Sequence, residues 1–255
     1  MTSSDGDSAE LFALEPRVFA FAVQVMEMLA EVLPSGDLGF ITTVRKLKGG
    51  GAVISMTSAD PLGLRLDVDD AEALRLIATY RLVVSPISRF MTVLSSSFKV
   101  NVKDSNQPLF TVDYFRDSHS GVPAAHINFH AERDDLTTAL LKVGARKRGK
   151  LHLKNAAAGR EPRLGDLHFP LGGHRFRPCL EDVLEMLIVE FGVDSRPTAT
   201  KALQAGRTRW REHQLAAAIS DDPATAVKEL NRLGYELVPR PGVVLLPRPD
   251  RLTAI

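Results

Sequence analysis

The sequence predicts an α+β fold, with an N-terminal helix, a largely antiparallel β-sheet meander and a C-terminal helical cluster. Three observations carry it: an apolar stripe at helical spacing near the start, short β-branched and aromatic segments from Phe40 to His130, and helical periodicity again after Pro178. At 255 residues, 44% hydrophobic and 25% charged, the chain has the composition of a folded protein near the upper size for one core. The expected organisation is a solvated tail over residues 1–10, a main domain with the sheet over 11–178, and a helical region over 179–255.

The first helix is expected from Pro16, with Val18, Phe21, Val25, Leu29 and Val32 at steps of three and four before Pro34-Ser-Gly stops the pattern. Gln24, Glu27 and Glu31 interrupt its apolar run at helical spacing, which makes it an amphipathic core helix and not a membrane span. Strands are expected around Ala52–Met56, Leu64–Val68, Arg81–Val84, Phe90–Leu94, Phe98–Val102 and Leu109–Phe115, with one short helix over Asp69–Ala78 as an alternative between strands. Gly49-Gly-Gly reads as a hairpin loop. It lacks the Lys-Ser or Lys-Thr that a phosphate-cradling loop requires.

After His130, Asp134 or Asp135 can start a helix through Leu136, Leu140 and Val143, and a polar, irregular stretch is expected from Gly144 to Pro178. Leu180, Val183, Leu184, Leu187, Ile188 and Phe191 then form the clearest helical stripe, with acids near its start and Gly192 at its end. Further helices are expected over Ala199–Ile219 and Pro223–Leu233, and Val243-Val-Leu-Leu reads as an edge strand bounded by prolines.

The 22 Arg against 10 Lys give, with 31 acids, a net charge of only +1, and an arginine excess with many alanines also follows from a GC-rich genome. The single cysteine, Cys179, excludes an internal disulfide framework and fits a reducing cytoplasm, and no signal-peptide pattern opens the chain. The expectation is a soluble, cytoplasmic protein without a membrane partner.

Charge and histidine are concentrated centrally. Six of the seven histidines fall between His119 and His174. Ala125-His-Ile-Asn-Phe-His-Ala reads as a strand with His126, Asn128 and His130 on one face and Ile127 and Phe129 on the other. His126 and His130 would lie roughly 13 Å apart along an ideal strand, too far to share a metal ion. Asp113 could add a ligand, but no Cys pair or His-Glu-x-x-His helix supports a metal, and no cofactor is expected. Hydrogen-bonded structural histidines on a half-buried sheet are the plainer reading.

From Lys142 to Arg177 ten cations face two acids, Glu161 and Asp166. This Gly- and Pro-containing run suits phosphate, although a solvated loop would look the same. Within it, Asp166-Leu-His-Phe-Pro-Leu-Gly-Gly-His-Arg-Phe-Arg-Pro packs two histidines, two glycines and two arginines before the clearest helix. Two His-x-Ser/Thr motifs, as some phosphoesterases carry, are missing: His126 precedes Asn128, His152 precedes Lys154 and His168 precedes Pro170.

The pairing of Pro123-Ala-Ala-His-Ile-Asn-Phe-His with Leu167-His-Phe-Pro-Leu-Gly-Gly-His-Arg-Phe-Arg-Pro-Cys-Leu-Glu-Asp-Val-Leu-Glu resembles a group of bacterial proteins from GC-rich genomes, over about Phe110 to Tyr235. That group has no assigned activity, so the resemblance implies no catalytic residues. Some proteins with a similar His-containing segment look like members of defence or toxin–antitoxin neighbourhoods.

The first functional expectation is therefore one cleft that binds RNA or a nucleotide and cleaves it without metal. His126, His130, His168 and His174 would move protons, while Asn128, Arg146, Arg148, Arg175 and Arg177 would contact the ligand. The alternative is a noncatalytic protein-interaction module, with Trp210 among Arg207, Arg209 and Arg211 as a contact point. A DNA-binding regulator is a minor third reading, because the acidic Asp221-Asp222 turn would repel the DNA backbone.

Overall fold

A computed structural model describes residues 5–34, 38–46, 52–84, 91–117, 122–130, 148–161, 163–166, 169–237, 242 and 246–253. Helix α1 spans Asp5–Val32. It begins well before Pro16 and takes in residues 5–10, which were expected to be tail. Ser8-Ala-Glu-Leu-Phe-Ala-Leu-Glu is rich in good helix formers, which favour continuing the helix upstream despite the missing N–H and the ring of Pro16 in its interior. Of the expected inner stripe Val18, Val25, Leu29 and Val32 are buried, Phe21 is half-buried against the core, and Ala22 joins them.

The sheet contains strands β1 (Phe40–Lys46), β2 (Ala52–Ser58), β3 (Leu64–Val68), β4 (Ala71–Val84), β5 (Met91–Val102), β6 (Pro108–Phe115), β7 (Ala125–Phe129) and β8 (Phe169–Pro170). Every pairing is antiparallel, in the order β1-β2-β4-β5-β6-β7-β8, with β3 on β4. β1 and β2 pair up to Lys46 opposite Ala52, and the glycine run between them lies outside the described residues. Residues 243–245 of the expected edge strand also lie outside them.

The alternative helix over Asp69–Ala78 is not formed. Asp69 and Asp70 both take positive φ, 51° and 62°, in the two-residue loop joining β3 to β4, and Val68 pairs with Ala71 across it. A right-handed hairpin favours such a turn. The Asp194 carboxylate holds it by accepting the N–H groups of Asp69 and Asp70 at 3.2 and 2.8 Å. Ala71-Glu-Ala-Leu has helical propensity, but pairing with both β3 and β5 overrides it.

Burial alternates along the central strands. Leu74, Leu76, Ala78, Tyr80 and Leu82 of β4, with Phe98 and Val100 of β5, are buried on one face. Their neighbours Ile77, Thr79, Ser95, Ser97 and Lys99 on the other face are only half-buried. The buried face packs on α1 and on α3 (Leu180–Phe191), which inserts Leu180, Val183, Leu184 and Leu187. α3 has the expected bounds: Asp182 accepts the Cys179 N–H at 3.0 Å, and Gly192 closes the helix in the left-handed region at φ 69°.

The central prediction for the core concerns Leu187, which is fully buried. Leu187→Ala should cost about 3 kcal/mol in urea unfolding with an unchanged m-value. A loss under 1 kcal/mol would show that the α3 contact with the sheet is loose.

Helix α4 (Ala199–Asp221) packs on α1 and α3, and α5 (Pro223–Arg232) follows with Asp222 capping the Thr225 N–H at 3.1 Å. A short α6 covers Pro249–Thr253. The stretch from Gly144 to Pro178 is not irregular throughout, since α2 occupies Arg148–Ala157 with His152 buried. Residues 131–147, including the helix start expected at Asp134 or Asp135, lie outside the described residues. Among the described residues no helix is long and apolar enough to cross a membrane.

Candidate anion-binding site

β7 has the two faces its sequence implies. Asp113 lies opposite His126 and Thr111 opposite Asn128 across the β6–β7 ladder, so these four side chains share the face away from the core helices. His126 is 2% exposed. Its Nδ1 lies 2.9 Å from the Pro123 carbonyl, which can only accept, so Nδ1 carries the proton. Nε2 is 4.0 Å from the Asp113 carboxylate, which also accepts the Thr111 hydroxyl at 2.9 Å. Phe115 stacks on the His126 ring at 6.0 Å between centroids.

Among the described residues, Asn128 Oδ1 and His130 Nε2 are buried without a hydrogen-bond partner. The 3₁₀ turn Leu164–Asp166 lies beside His130, and a Cβ on Gly165 would come within 3.0 Å of Nδ1. His168 and Arg146 lie outside the described residues, as does the side chain of Arg148, whose backbone opens α2.

The second group forms where the chain leaves β8 and turns toward the helical side. Leu171 donates its N–H to the Ala125 carbonyl at 2.8 Å, and Gly172 and Gly173 then adopt φ 67° and 61°. A Cβ on Gly172 would lie 2.7 Å from the Phe176 carbonyl, so the tight turn requires glycine there. This turn delivers His174, Arg175 and Arg177.

His174 is buried, with Nδ1 3.2 Å from the Tyr114 hydroxyl and Nε2 3.4 Å from Arg251 Nη1. A guanidinium only donates, so Nε2 accepts and the Nδ1 proton points to Tyr114. Burial, reinforced by Arg251, Arg175, Arg177 and Arg116, pushes the His174 pKa down to about 4. Its imidazole is neutral at pH 7.

Arg177 is 4% exposed and sandwiched between aromatic rings, its guanidinium carbon 3.6 Å from the Tyr114 centroid and 4.8 Å from that of Trp210. It donates to the His174 carbonyl, and to Gln214 Oε1 at 3.4 Å. Burial lowers its pKa to about 10. Arg177 is therefore built into the interior and is not the free ligand contact expected. Trp210 packs on it, and Arg207 is engaged by Asp182 at 2.7 Å and by Glu185. Of the residues expected as a protein or DNA contact point, Trp210 and Arg207 thus have intramolecular work.

Arg175 donates from Nε to the buried Asp221 carboxylate at 2.6 Å. Two further arginines join it. Arg251 of α6 donates to the Arg116 carbonyl at 3.2 Å, and its acidic neighbours Asp250 and Asp117 lie at 3.5 and 3.8 Å and are solvent-exposed. Arg116, just past β6, has no carboxylate within ion-pair distance among the described residues. Burial first and the Arg251 and Arg175 charges next lower its pKa, the signature of like charges held together. Neither Arg116 nor Arg251 has a sequence signal, because 135 residues separate them and only the fold makes them neighbours.

The sheet separates the two groups. Tyr114, which contacts His174 and Arg177, lies opposite Ala125, while the adjacent Asp113 lies opposite His126, and successive strand residues point to opposite faces. His126, Asn128 and His130 therefore do not share a cleft with His174, Arg175 and Arg177, which corrects the expected single His- and Arg-lined site. Among the described residues no group of three or more His, Cys, Asp or Glu is placed to hold a metal ion. Compared with family models, curated proteins and solved structures, the chain matches none.

Proposed function

We propose that this is a cytoplasmic protein that binds a phosphorylated ligand, RNA or a nucleotide, at the guanidinium cluster of Arg116, Arg175 and Arg251 beside His174. The observation that supports it is the gathering of these three cations and Arg177 around one neutral imidazole, where among the described residues Asp221 is the one buried carboxylate in a close ion pair. Arg175 and Arg251 keep 16% and 18% of their side chains exposed, so solvent and a ligand can reach them. Guanidinium forks pair with phosphate oxygens bidentately, and a dianion relieves the mutual repulsion of the cluster. The role is binding. Of the histidines that would have shared proton transfer, His126 and His130 lie on the other side of the sheet from His174.

Titration with inorganic phosphate, AMP and a short oligoribonucleotide tests the reading calorimetrically. Arg116→Ala/Arg251→Ala should weaken the tightest of these at least tenfold, by the usual worth of charge-assisted hydrogen bonds. Unchanged affinity in a folded double variant would sink the proposal.

A second reading, a noncatalytic interaction module of a bacterial defence or toxin–antitoxin system, is favoured by the α4–α5 hairpin. No residue of α5 is buried, and Leu215, Ile219, Val227 and Leu233 are exposed around it. An apolar patch on a projecting helical pair is a common mark of a protein contact.

A further inference from the structure

The sheet face opposite the core helices carries a charge pattern that neither the guanidinium cluster nor the fold explains. The strand registers align Thr43, Ser55, Arg81, Ser95 and Phe115 in one continuous row across β1, β2, β4, β5 and β6. The next row is Ile41, Thr57, Thr79, Ser97 and Asp113, with the Thr57 and Thr79 hydroxyls 3.1 Å apart. Arg45 stands two residues beyond Thr43, and Lys99 two residues beyond Ser97, so both lie on this same face.

Arg45 and Arg81 are exposed and Lys99 is half-buried. Among the described residues none of the three has a carboxylate within ion-pair distance. They run diagonally across the sheet. From strand spacing and rise, Arg45 to Arg81 is about 12 Å and Arg81 to Lys99 about 14 Å between backbone positions. No acid shares the face on β1, β2 or β5. On β3 and β4, Asp67 and Glu72 are taken up by Arg65 and Arg75 at the far end of the face, and Asp113 stands on β6. Phe115 stands at the end of the arginine row, 42% exposed and braced from behind by its stack on the buried His126 ring.

We propose that this sheet face binds a single-stranded nucleic acid. Arg45, Arg81 and Lys99 hold successive phosphates along the diagonal, the serine and threonine rows meet base and sugar edges, and Phe115 stacks on one base. Charge complementarity selects a polyanion, since the face combines three cations without an ion pair among the described residues with the six hydroxyl side chains of the two rows. The exposed, prestacked aromatic selects a single strand over a duplex, because bases offer their faces for stacking only when unpaired. The surface extends the phosphate-binding reading but does not depend on it, since it lies on the other side of the sheet from His174.

The test is fluorescence anisotropy with a fluorescein-labelled oligouridylate of about 20 nucleotides, chosen to exceed the site size of a single sheet surface. Wild type should bind at low salt. Arg45→Ala/Arg81→Ala/Lys99→Ala should lose roughly thirtyfold in affinity and flatten the log affinity against log salt slope by about two, the value for three phosphate contacts on a single strand. Phe115→Ala should weaken binding with the slope unchanged. All these side chains are at the surface, and an unaltered melting temperature confirms that the variants fold.

The triple cation variant should keep wild-type affinity for AMP. Loss of AMP binding in Arg116→Ala/Arg251→Ala belongs to the guanidinium cluster, so the two proposals fail separately. Wild-type behaviour of the triple cation variant, or no binding by the wild type, would overturn the sheet-face assignment. Equal or tighter binding of a duplex through the same three cations would overturn its restriction to single strands.

Discussion

Arg177→Ala is expected to destabilise the fold by about 3 kcal/mol, as the sum of lost aromatic contact, lost hydrogen bonds and an unfilled gap. The guanidinium fills the space between Tyr114 and Trp210 and donates to the His174 carbonyl, so truncation separates β6 from α4 and frees the glycine turn together. Trp210 is the only tryptophan in the chain, so its fluorescence reports this site alone. In the Ala variant its emission should shift to the red before global unfolding.

Arg177→Met separates packing from charge. Methionine fills much of the same volume but cannot donate to His174 or Gln214, and burying a cation carries its own desolvation cost. A loss of about 1–2 kcal/mol is expected for Met. If Met were as damaging as Ala, shape would count for little and the cation–π contact for most. If neither variant lost stability, the sandwich would have no energetic role.

The second large effect is acid sensitivity centred on His174. Its folded pKa is depressed to about 4, by burial first and the arginines next, against an ordinary value of 6.5. A base with a depressed folded pKa binds its proton more readily when unfolded. The stabilisation is therefore complete above pH 6.5 and is lost as the pH falls toward 4. A shift of this size corresponds to about 3 kcal/mol at most, and screening of the partly exposed Arg175 and Arg251 charges reduces it to about 2.

Carboxylates titrate in the same window, so the informative quantity is the difference between wild type and His174→Gln in urea unfolding at pH 7 and pH 4.5. That difference should change by about 2 kcal/mol in favour of the variant as the pH falls. A pH-independent difference would mean that His174 is not the sensor. Saturating inorganic phosphate should also lessen the acid loss in the wild type, because an anion among the guanidiniums offsets the repulsion felt by the imidazolium.

Much of this arrangement was legible in the residues alone. The apolar stripe from Leu180 to Phe191 with Gly192 behind it gave the bounds of α3, because helical period and capping are local properties. The alternation in Ala125-His-Ile-Asn-Phe correctly put His126 and Asn128 on one face, since side-chain direction along a strand has a fixed period of two. Gly172-Gly173 read as a turn because its φ values suit glycine.

Tertiary structure decided the rest. Period two says which side chains share a face, but not which face the helices cover, so His126 of β7 and His174 of the glycine turn looked like neighbours until the sheet was placed between them. Ala71-Glu-Ala-Leu became strand because β3 and β5 pair with it, a choice its own propensity does not contain. Arg116 and Arg251 met only because β6 and α6 end at the same corner of the fold, and like charges are held together by packing that no local pattern encodes.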